Sequence, residues 1–294
     1  KQNLGLIGFG NIGSKFYTEI INKNIINRIY ILKKKSIPKK ENKNIFTDKK
    51  KFFSKKIELF IVASPIKTHF YYLKKIINKK KALLIEKPLV SNKNDLKKLI
   101  KLNENIKSPV VVNYIDLFNP SFKVLKKNIC KIGKINKITL KFGKYQKIYK
   151  SNRIDSKNMQ KLPFFDWMPH PIAILVKLLG CPNDIKLVKN KFLKIKGYIF
   201  QDLKLKFIYK DFNAYIIFSN KQKKSKRDVI VKSNKNYLVY SGQSNKILKS
   251  STSYSKASFK KFDINKKLIF KTSGIQNNLY YTIDNFVKKS YSKK

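Results

Sequence analysis

Three glycines, spaced G-x-G-x-x-G, follow an apolar run at the start of the sequence. The run Leu4–Ile7 predicts a short buried strand, and Ser14–Lys23 predicts the helix after it. Gly8 permits a sharp strand-to-helix turn, Gly10 lets a pyrophosphate approach the backbone, and Gly13 lets helix and strand pack closely. The first N–H groups of the helix and its dipole favour an anion there. A flexible glycine turn is the alternative, but this placement favours dinucleotide binding. The predicted cofactor-binding residues of the turn are Gly8, Phe9, Gly10, Asn11, Ile12 and Gly13.

The end of the second predicted strand, Arg28–Leu32, bears on the choice of cofactor. In NAD-binding folds an acidic residue about 20 positions after the last glycine binds the ribose 2′-hydroxyl. Lys33 occupies that position here, and Lys34 and Lys35 follow it. Ammonium groups suit the 2′-phosphate of NADP, so NADP is favoured. NAD stays open, because such a triplet also arises by chance in a lysine-rich chain.

Three further apolar runs predict more strands of the same sheet: Ile57–Ala63, Ala82–Ile85 and Val110–Val112. Helical patterns at about 68–79 and 95–105 separate them, and this alternation indicates a doubly wound parallel α/β sheet of the Rossmann type. We assign it to a first domain, residues 1–117. Ligands bind such sheets at the carboxyl ends of the strands. Besides the glycine turn, the residues at these strand ends are Ser64, Pro65, Lys87 and Asn113.

Residues 118–294 differ in pattern, and 294 residues suffice for two domains. A helix is predicted from Asn119-Pro120 to about Ile129, and the chain from Gly133 onward is rich in strand patterns. Apolar and polar residues alternate from Leu203 to Phe207, which gives a strand one buried and one exposed face. We therefore expect an α+β domain with a largely antiparallel open sheet. One helix is predicted from near Asp166 to Gly180, a closing helix over Leu279–Lys289, a strand over Leu268–Lys271, and solvated loops over Gln222–Asp228 and Gly242–Ser258.

The net charge of +52 raises the possibility of a nucleic-acid partner. The lysines, however, are spread along the whole chain, and the accompanying excess of Asn, Ile, Tyr and Phe points to a drift in base composition. Arginine, the better reader of phosphates and bases, occurs only as Arg28, Arg153 and Arg227. We expect nonspecific attraction to polyanions but no specific nucleic-acid partner.

The two cysteines, Cys130 and Cys181, do not form a C-x-x-C pair. A disulfide framework or a thiolate metal site is therefore not expected, and a reducing compartment fits. No stretch reaches 18 uncharged apolar residues. The sequence thus predicts a soluble cytoplasmic protein with no metal and no membrane partner.

Two histidines are present. His69 begins the helix after Ser64-Pro65, where a capping or packing role is common. His170 follows Asp166 by four residues. Either Asp166 caps the helix and His170 is a half-buried polar residue, or the two form a carboxylate–imidazole acid–base pair. Because Pro169 and Pro171 flank His170, the sequence does not decide whether Asp166 and His170 share one helical face.

Lys87 lies at the carboxyl end of a predicted strand and precedes Pro88. A residue before proline is held extended, which would direct this ammonium group into the ligand cleft. Asn113 and Tyr114 lie beside the same cleft and are candidate substrate contacts.

The motifs and their order resemble the Gfo/Idh/MocA family of nicotinamide-dependent sugar and polyol oxidoreductases. The resemblance rests on the glycine turn, Ala63-Ser64-Pro65 with His69, Glu86-Lys87-Pro88, Asn119-Pro120, Asp166 with His170, and Leu279 to Val287. Lys33 departs from the family pattern, which often has an acid there.

The resemblance implies that Lys87, Asp166 and His170 surround the reacting carbinol. His170 would take or give the hydroxyl proton, Asp166 would orient it or bind a sugar hydroxyl, and Lys87 would polarise the oxygen and help relay the proton. The family's Lys-Pro bond is often cis. The resemblance also implies a homo-oligomer, a dimer or tetramer built on the second domain's sheet. Further cofactor contacts are expected at Ser64, Pro65, His69, Glu86 and Lys87, which belong to the family motifs. Lys33 and Lys34 are also expected there, from their position after the second predicted strand.

The expected activity is hydride transfer between NADP or NAD and a secondary alcohol or carbonyl of a sugar, polyol or nucleotide sugar. In such enzymes the cofactor supplies the hydride chemistry and the protein positions the reactants and manages a proton. The alternative hypothesis is a dinucleotide-binding sensor or scaffold protein without turnover.

Overall fold

The computed structural model describes residues 1–21, 26–34, 44–103, 106–149, 163–196, 198–234, 236–241, 246–250, 260–261, 282–284 and 286–287. The chain divides into two units. The first comprises Lys1–Ile115 together with Ile275–Lys294, and the second comprises Asp116–Gly274.

The first unit contains a six-stranded, wholly parallel sheet. Its order is β3-β2-β1-β4-β5-β6. Strands β4 and β5 are buried along their whole length, because helices cover both faces of such a sheet. The strands are β1 (Gln2–Ile7), β2 (Ile26–Leu32), β3 (Ile45–Phe46), β4 (Leu59–Val62), β5 (Ala82–Ile85) and β6 (Val110–Val112).

The helices of this unit pack through apolar stripes at helical spacing. Helix α1 buries Gly13, Phe16 and Ile20. The strand order reverses beside β1, where β2 lies on one side and β4 on the other, and ligands bind doubly wound sheets at such a point. The helices are α1 (Asn11–Ile21), α2 (Lys49–Phe53), α3 (His69–Ile77) and α4 (Lys93–Asn103), with a 3-10 helix at Ile66–Thr68.

The second unit contains a mixed sheet of nine strands in its described part. Its path is β15-β14-β13-β12-β7-β11-β10-β8, and β9 pairs with β10. The β7–β11 pair is parallel and the other pairs are antiparallel. The strands are β7 (Ile135–Gly143), β8 (Ile148–Tyr149), β9 (Asp184–Ile195), β10 (Tyr198–Ile208), β11 (Asn213–Ser219), β12 (Lys226–Ser233), β13 (Tyr237–Ser241), β14 (Lys246–Ser250) and β15 (Lys260–Lys261).

One face of this sheet packs against helices to form the core of the second unit. Alternate strand residues such as Leu140, Ile216 and Phe207 contact helix residues such as Leu125 and Ile174 in one apolar cluster. The alternation predicted for β10 is confirmed, since Leu203 and Phe207 are buried. The helices are α5 (Ile115–Phe118), α6 (Pro120–Asn128), α7 (Pro163–Trp167) and α8 (Pro169–Leu179), with a 3-10 helix at Ile129–Lys131.

The predicted fold class is confirmed, and several local predictions are wrong. The loop predicted over Gln222–Asp228 ends early: β12 begins at Lys226, and Arg227 is buried because it pairs with a buried carboxylate. Part of the loop predicted over Gly242–Ser258 is strand β14. The single helix predicted from Asp166 is two helices, α7 and α8, with a turn at Met168 before Pro169.

The C-terminal segment also differs in its grouping. The second domain was expected to run to residue 294, whereas residues 275–294 group with the first unit. Of the predicted closing helix, residues 282–284 and 286–287 are described and helical, and Ile283 and Phe286 are buried. The predicted strand Leu268–Lys271 lies outside the described residues.

Candidate functional site

The glycine turn of the first unit occupies the three residues between β1 and α1. Gly8 has a φ of 91°, and a Cβ there would lie 2.6 Å from the carbonyl oxygen of Ala63, just after β4. A Cβ at Gly13 would lie 2.1 Å from the carbonyl oxygen of Gly8. Both contacts are with backbone, so the protein itself requires glycine at these two positions.

Gly10 differs from the other two glycines of the motif. A Cβ built there meets no atom within 4 Å, so no neighbouring group of the protein demands a glycine. The turn leads directly into α1, whose first turn contains no acidic residue. Asn11 and Ile12 are exposed beside it, and Phe9 packs its ring against Tyr17. Open space over backbone at a helix N-terminus fits the pyrophosphate of a dinucleotide.

The end of β2 is attached to this turn by backbone hydrogen bonding. The N–H of Gly8 donates to the carbonyl of Leu32 at 2.8 Å, and the N–H of Lys33 donates to Phe46 at 2.9 Å. Lys33 is half-buried and Lys34 is exposed. Lysines therefore occupy the position beside the turn where an NAD-binding fold places an acid.

His69 is buried because it begins the apolar stripe of α3. Its Nδ1 lies 2.8 Å from the carbonyl oxygen of Pro88, and its Nε2 lies 2.8 Å from that of Ser64. The ring thus bridges the segment after β4 and the segment after β5. A neutral imidazole can donate to only one of these oxygens, whereas an imidazolium can donate to both. Because both ring nitrogens face backbone carbonyls, His69 is placed to hold the segments after β4 and β5 together and not to bind a ligand directly.

The remaining residues of the segment after β4 form a local hydrogen-bonded turn. The Ser64 and Thr68 hydroxyls lie 2.7 Å apart, and Thr68 donates from its N–H and its hydroxyl to the carbonyl of Pro65 at 2.8 and 2.7 Å. These bonds hold Ser64 and Pro65 at the carboxyl end of β4, as the sequence predicts.

The segment after β5 contains Glu86, Lys87 and Pro88. The Lys87–Pro88 peptide bond is cis, as the family resemblance implies. The Glu86 carboxylate accepts hydrogen bonds from the backbone N–H of Lys87 at 3.2 Å and from the side-chain amide of Asn113. Glu86 therefore links β5 to β6 and has a positioning role in this geometry.

Asn113 and Tyr114 follow β6 at the same edge of the sheet. The Asn113 N–H donates to the carbonyl of Ile85 at 2.8 Å. Its side chain is buried, and its Oδ1 atom accepts no hydrogen bond from the described residues. Burial raises the pKa of the Tyr114 phenol above its ordinary value. A buried amide oxygen without a donor can accept a hydrogen bond from a bound ligand.

His170, in the second unit, lies on the buried side of α8 and contacts a carboxylate. Its Nδ1 lies 2.9 Å from Oδ2 of Asp116. Nη1 of Arg227 lies 3.0 and 2.8 Å from the two oxygens of the same carboxylate. The exposed fractions of His170, Asp116 and Arg227 are 5, 1 and 6%. The guanidinium carbon of Arg227 also lies 4.8 Å from the ring centre of Trp167.

The electrostatics of this cluster favour an ionised Asp116. Burial opposes the charged form, but the Arg227 guanidinium and the contact with His170 outweigh it and lower the pKa of Asp116 below its usual range. Tyr240 is buried nearby, and its hydroxyl has no hydrogen-bond partner among the described residues. Burial and the negative charge of Asp116 raise the pKa of this phenol.

Asp166 does not cap α8, which was one of the two roles predicted for it. It lies within α7 and is exposed, while the N-cap residue of α8 is Met168, which has no side-chain capping bond. Capping of α8 by Asp166 is therefore wrong. The carboxylate observed at Nδ1 of His170 belongs to Asp116.

Sequence reasoning missed Asp116 and Arg227, although each had a signal. Asp116 is the one charged residue in the apolar segment Ile115–Phe118, and a carboxylate in such a segment needs a buried partner. Arg227 is one of three arginines among 68 basic residues. Because Arg227 was predicted to lie in a solvated loop, its ion pair with Asp116 was not predicted.

The described residues show neither a metal-binding cluster nor a membrane-spanning helix. No group of three or more His, Cys, Asp and Glu side chains in that part of the chain is arranged to hold a metal ion. No helix in the same part has the length and apolar character needed to cross a membrane.

The glycine geometry predicts opposite effects for two alanine substitutions. Gly10→Ala should leave the free energy of unfolding within about 0.5 kcal/mol of wild type but weaken NADPH binding at least tenfold, because its methyl group occupies the space above the turn. Gly13→Ala should lower stability by about 1 to 3 kcal/mol through overpacking. Urea unfolding and NADPH fluorescence titration measure the two effects. Unchanged NADPH affinity in Gly10→Ala would remove the turn as the pyrophosphate site.

His69→Ala should destabilise the first unit. It removes the ring that bridges the carbonyls of Ser64 and Pro88. Loss of a buried hydrogen bond costs about 1 to 3 kcal/mol, and the volume left empty by the buried ring adds to that cost. We expect a total loss of about 2 to 4 kcal/mol in urea unfolding. Tyr71→Ala, on the exposed side of the same helix, is the control. Equal losses in the two variants would contradict the bridging role.

Comparisons with known proteins agree with this geometry. Residues 2–114 match the model of the Gfo/Idh/MocA oxidoreductase family, described as an NAD-binding Rossmann fold. No curated protein matches the sequence significantly. Several solved structures share the fold over nearly the whole chain.

A candidate oxidoreductase from Magnetospirillum magnetotacticum MS-1 has a TM-score of 0.74 at 20% identity, over 99% of this chain and 92% of that one. UDP-N-acetylglucosamine 3-dehydrogenase from Acidithiobacillus ferrooxidans has a TM-score of 0.73 at 13% identity, over 100% and 90%. Biliverdin reductase from Synechocystis sp. PCC 6803, solved with biliverdin and NADP+, has a TM-score of 0.69 at 13% identity, over 99% and 92%. Over residues 2–114 the chain therefore matches the NAD-binding Rossmann domain of the Gfo/Idh/MocA oxidoreductase family, and over nearly its whole length it shares the fold of these oxidoreductases.

Proposed function

We propose that the protein is an NAD(P)-dependent oxidoreductase that transfers a hydride between the nicotinamide cofactor and a secondary alcohol or carbonyl of a sugar, polyol or nucleotide sugar. The glycine turn is the observation that supports this most directly. Gly8 and Gly13 are required by backbone contacts, while Gly10 leaves open space over the helix N-terminus. That difference is explained by a ligand that approaches the backbone closely.

NADP is the favoured cofactor. The residues that would hold it are those of the glycine turn, with Lys33 and Lys34 beside the 2′-phosphate and the segments after β4 and β5 beside the nicotinamide. When bound, the cofactor supplies or accepts the hydride at C4 of its nicotinamide ring. A neighbour with the same fold, the Synechocystis biliverdin reductase, was solved with NADP+.

The proposed catalytic residues are Lys87, Asp166 and His170. Alcohol oxidation releases a proton, and an imidazole is suited to accept it near neutral pH. His170 would exchange this proton with the substrate hydroxyl. The Lys87 ammonium group would polarise the substrate oxygen, and the exposed carboxylate of Asp166 would accept a hydrogen bond from a substrate hydroxyl.

The substrate is proposed as a sugar-like molecule, with Asn113 and Tyr114 among its contacts. The buried Oδ1 of Asn113 can accept a hydroxyl hydrogen bond. The structural neighbours act on different substrates, among them a nucleotide sugar, and lysines near the site would favour an anionic substrate such as a sugar phosphate or a nucleotide sugar. The second candidate function is a dinucleotide-binding sensor or scaffold in the cytoplasm that uses the same turn without turnover.

Binding and turnover together test the function. We expect NADPH to bind more tightly than NADH in fluorescence titrations, and one member of a panel of sugars, polyols and nucleotide sugars to be turned over. Lys87→Ala should keep NADPH affinity within about threefold but lower kcat by about 100-fold or more, the scale of lost acid–base assistance.

Lys93→Ala, an exposed lysine of α4, is the matched control and should behave as wild type. Binding of NADPH without turnover of any panel member would favour the sensor or scaffold. Absence of binding by both nucleotides would contradict both functions.

The homo-oligomer implied by the family resemblance is also part of the proposal. Strand β9 exposes Ile185, Leu187, Val188 and Phe192 by 52, 61, 49 and 39%. Exposed apolar side chains are common at protein interfaces. Ile185 and Leu187 lie on the same face of the strand.

Replacing that pair with lysines should weaken the assembly. The double variant Ile185→Lys, Leu187→Lys should run at a lower mass than wild type in size-exclusion chromatography with light scattering, because like charges repel and apolar area is lost. Lys186→Ala, on the opposite face of the strand, should keep the wild-type mass. A wild-type mass of one chain would contradict the proposed oligomer.

A further inference from the structure

Asp116 determines which nitrogen of His170 can carry a proton in the neutral ring. An ionised carboxylate has no hydrogen to donate, so a hydrogen bond between the two groups requires the hydrogen on Nδ1. The 2.9 Å separation of Nδ1 and Oδ2 is within the length of such a bond, although the direction of the ring N–H falls short of hydrogen-bond geometry. At that distance a lone pair on Nδ1 would face the negative charge of the carboxylate, so the hydrogen is favoured on Nδ1. The neutral imidazole then has its lone pair on Nε2.

Arg227 supplies the charge that keeps this arrangement intact. Its Nη1 contacts both oxygens of Asp116, and a guanidinium stays protonated at any pH the protein meets. Because Asp116 is 1% exposed, water cannot replace this contact. Without the guanidinium, a buried carboxylate would tend to take up a proton and could then donate to the imidazole.

Trp167 makes arginine preferable to lysine at position 227. The planar guanidinium stacks over the indole ring at 4.8 Å while it contacts the carboxylate. A lysine ammonium lacks the plane needed to combine both contacts. The chain uses arginine at only three positions, and this one is buried.

We infer that Asp116 and Arg227 are positioning residues that hold His170 in its Nδ1–H form, so that proton exchange with the substrate occurs at Nε2. The inference rests on the proposed function only in naming His170 as the proton-transfer residue. It separates two roles that the family resemblance assigned to Asp166 as alternatives: Asp116 orients the imidazole, and the role proposed for Asp166 is contact with a substrate hydroxyl. The three side chains come from α5, α8 and β12, which are fixed by the core of the second unit.

Other ionisable groups lie around this cluster and can affect its titration. Asp228 follows Arg227 on β12, and Tyr240 lies on the adjacent strand β13. The Lys144 ammonium lies 5.9 Å from the centre of the Trp167 ring, which Arg227 also contacts. Asp166 precedes His170 on α7. The carboxylate that the structure shows at Nδ1, at 2.9 Å, is that of Asp116.

Nuclear magnetic resonance of the histidine rings tests the inference directly in the cofactor-free protein. With two histidines in the chain, a His170→Gln variant assigns both sets of ring signals. Long-range 15N–1H correlations distinguish the two neutral tautomers. We expect wild-type His170 to be the Nδ1–H tautomer, and Asp116→Asn to lose this signature and to titrate at lower pH, since a neighbouring carboxylate stabilises the imidazolium.

Asp228→Asn is the matched control, an acid-to-amide change next to Arg227, and should leave the wild-type tautomer. Arg227→Lys should weaken the signature less than Arg227→Met. In turnover assays, Asp116→Asn should lower kcat about 100-fold or more, as expected when an orienting carboxylate is lost, with the NADPH Kd within about twofold of wild type.

An Nε2–H tautomer in wild type, or a titration of His170 that is unchanged by Asp116→Asn, would overturn the inference. If Asp116→Asn fails to fold, the wild-type tautomer and Arg227→Lys still decide it. The ring signals need neither cofactor nor substrate, so this result is independent of whether the proposed oxidoreductase activity is found.

Discussion

The arrangement of the first unit depends on the close approach of backbone segments at Gly8. The N–H of this residue donates to the end of β2, its Cα faces the backbone after β4, and its carbonyl lies against the first turn of α1 at Gly13. Three strands and a helix therefore meet at one residue. The same approach places the segment after β4 directly beside the turn.

The second unit depends on a different interaction, a buried ion pair. Taking a carboxylate and a guanidinium out of water costs more free energy than a simple pair recovers, unless their remaining hydrogen-bonding positions are satisfied. Asp116 satisfies this condition through Arg227 and His170 together. A hydrophobic trio of similar volume could stabilise the core equally well. The ionic arrangement is therefore better explained by what it does to the imidazole than by stability.

The sequence predicted the first unit well because its signals are local. Strands such as Ala82–Ile85 and Val110–Val112 were predicted with their observed bounds, and the glycine spacing specified the turn. The second unit was predicted in class but less well in detail. Arg227 is next to lysine-rich residues that are typical of a loop, and its burial depends on Asp116, 111 residues earlier in the chain. No local pattern contains that pairing, and for the same reason the carboxylate beside His170 could not be identified by spacing alone.

The space above Gly10 also bears on how the sequences of similar chains can be interpreted. Glycines required by backbone contacts, such as Gly8 and Gly13, preserve the fold whether or not a nucleotide binds, because any side chain there collides with the protein itself. The middle glycine has no such internal requirement. A chain with this architecture that no longer binds a nucleotide could therefore accept a side chain at that position without loss of stability. The residue at the middle position thus indicates whether a nucleotide binds, whereas the glycines on either side of it indicate only that the fold is kept.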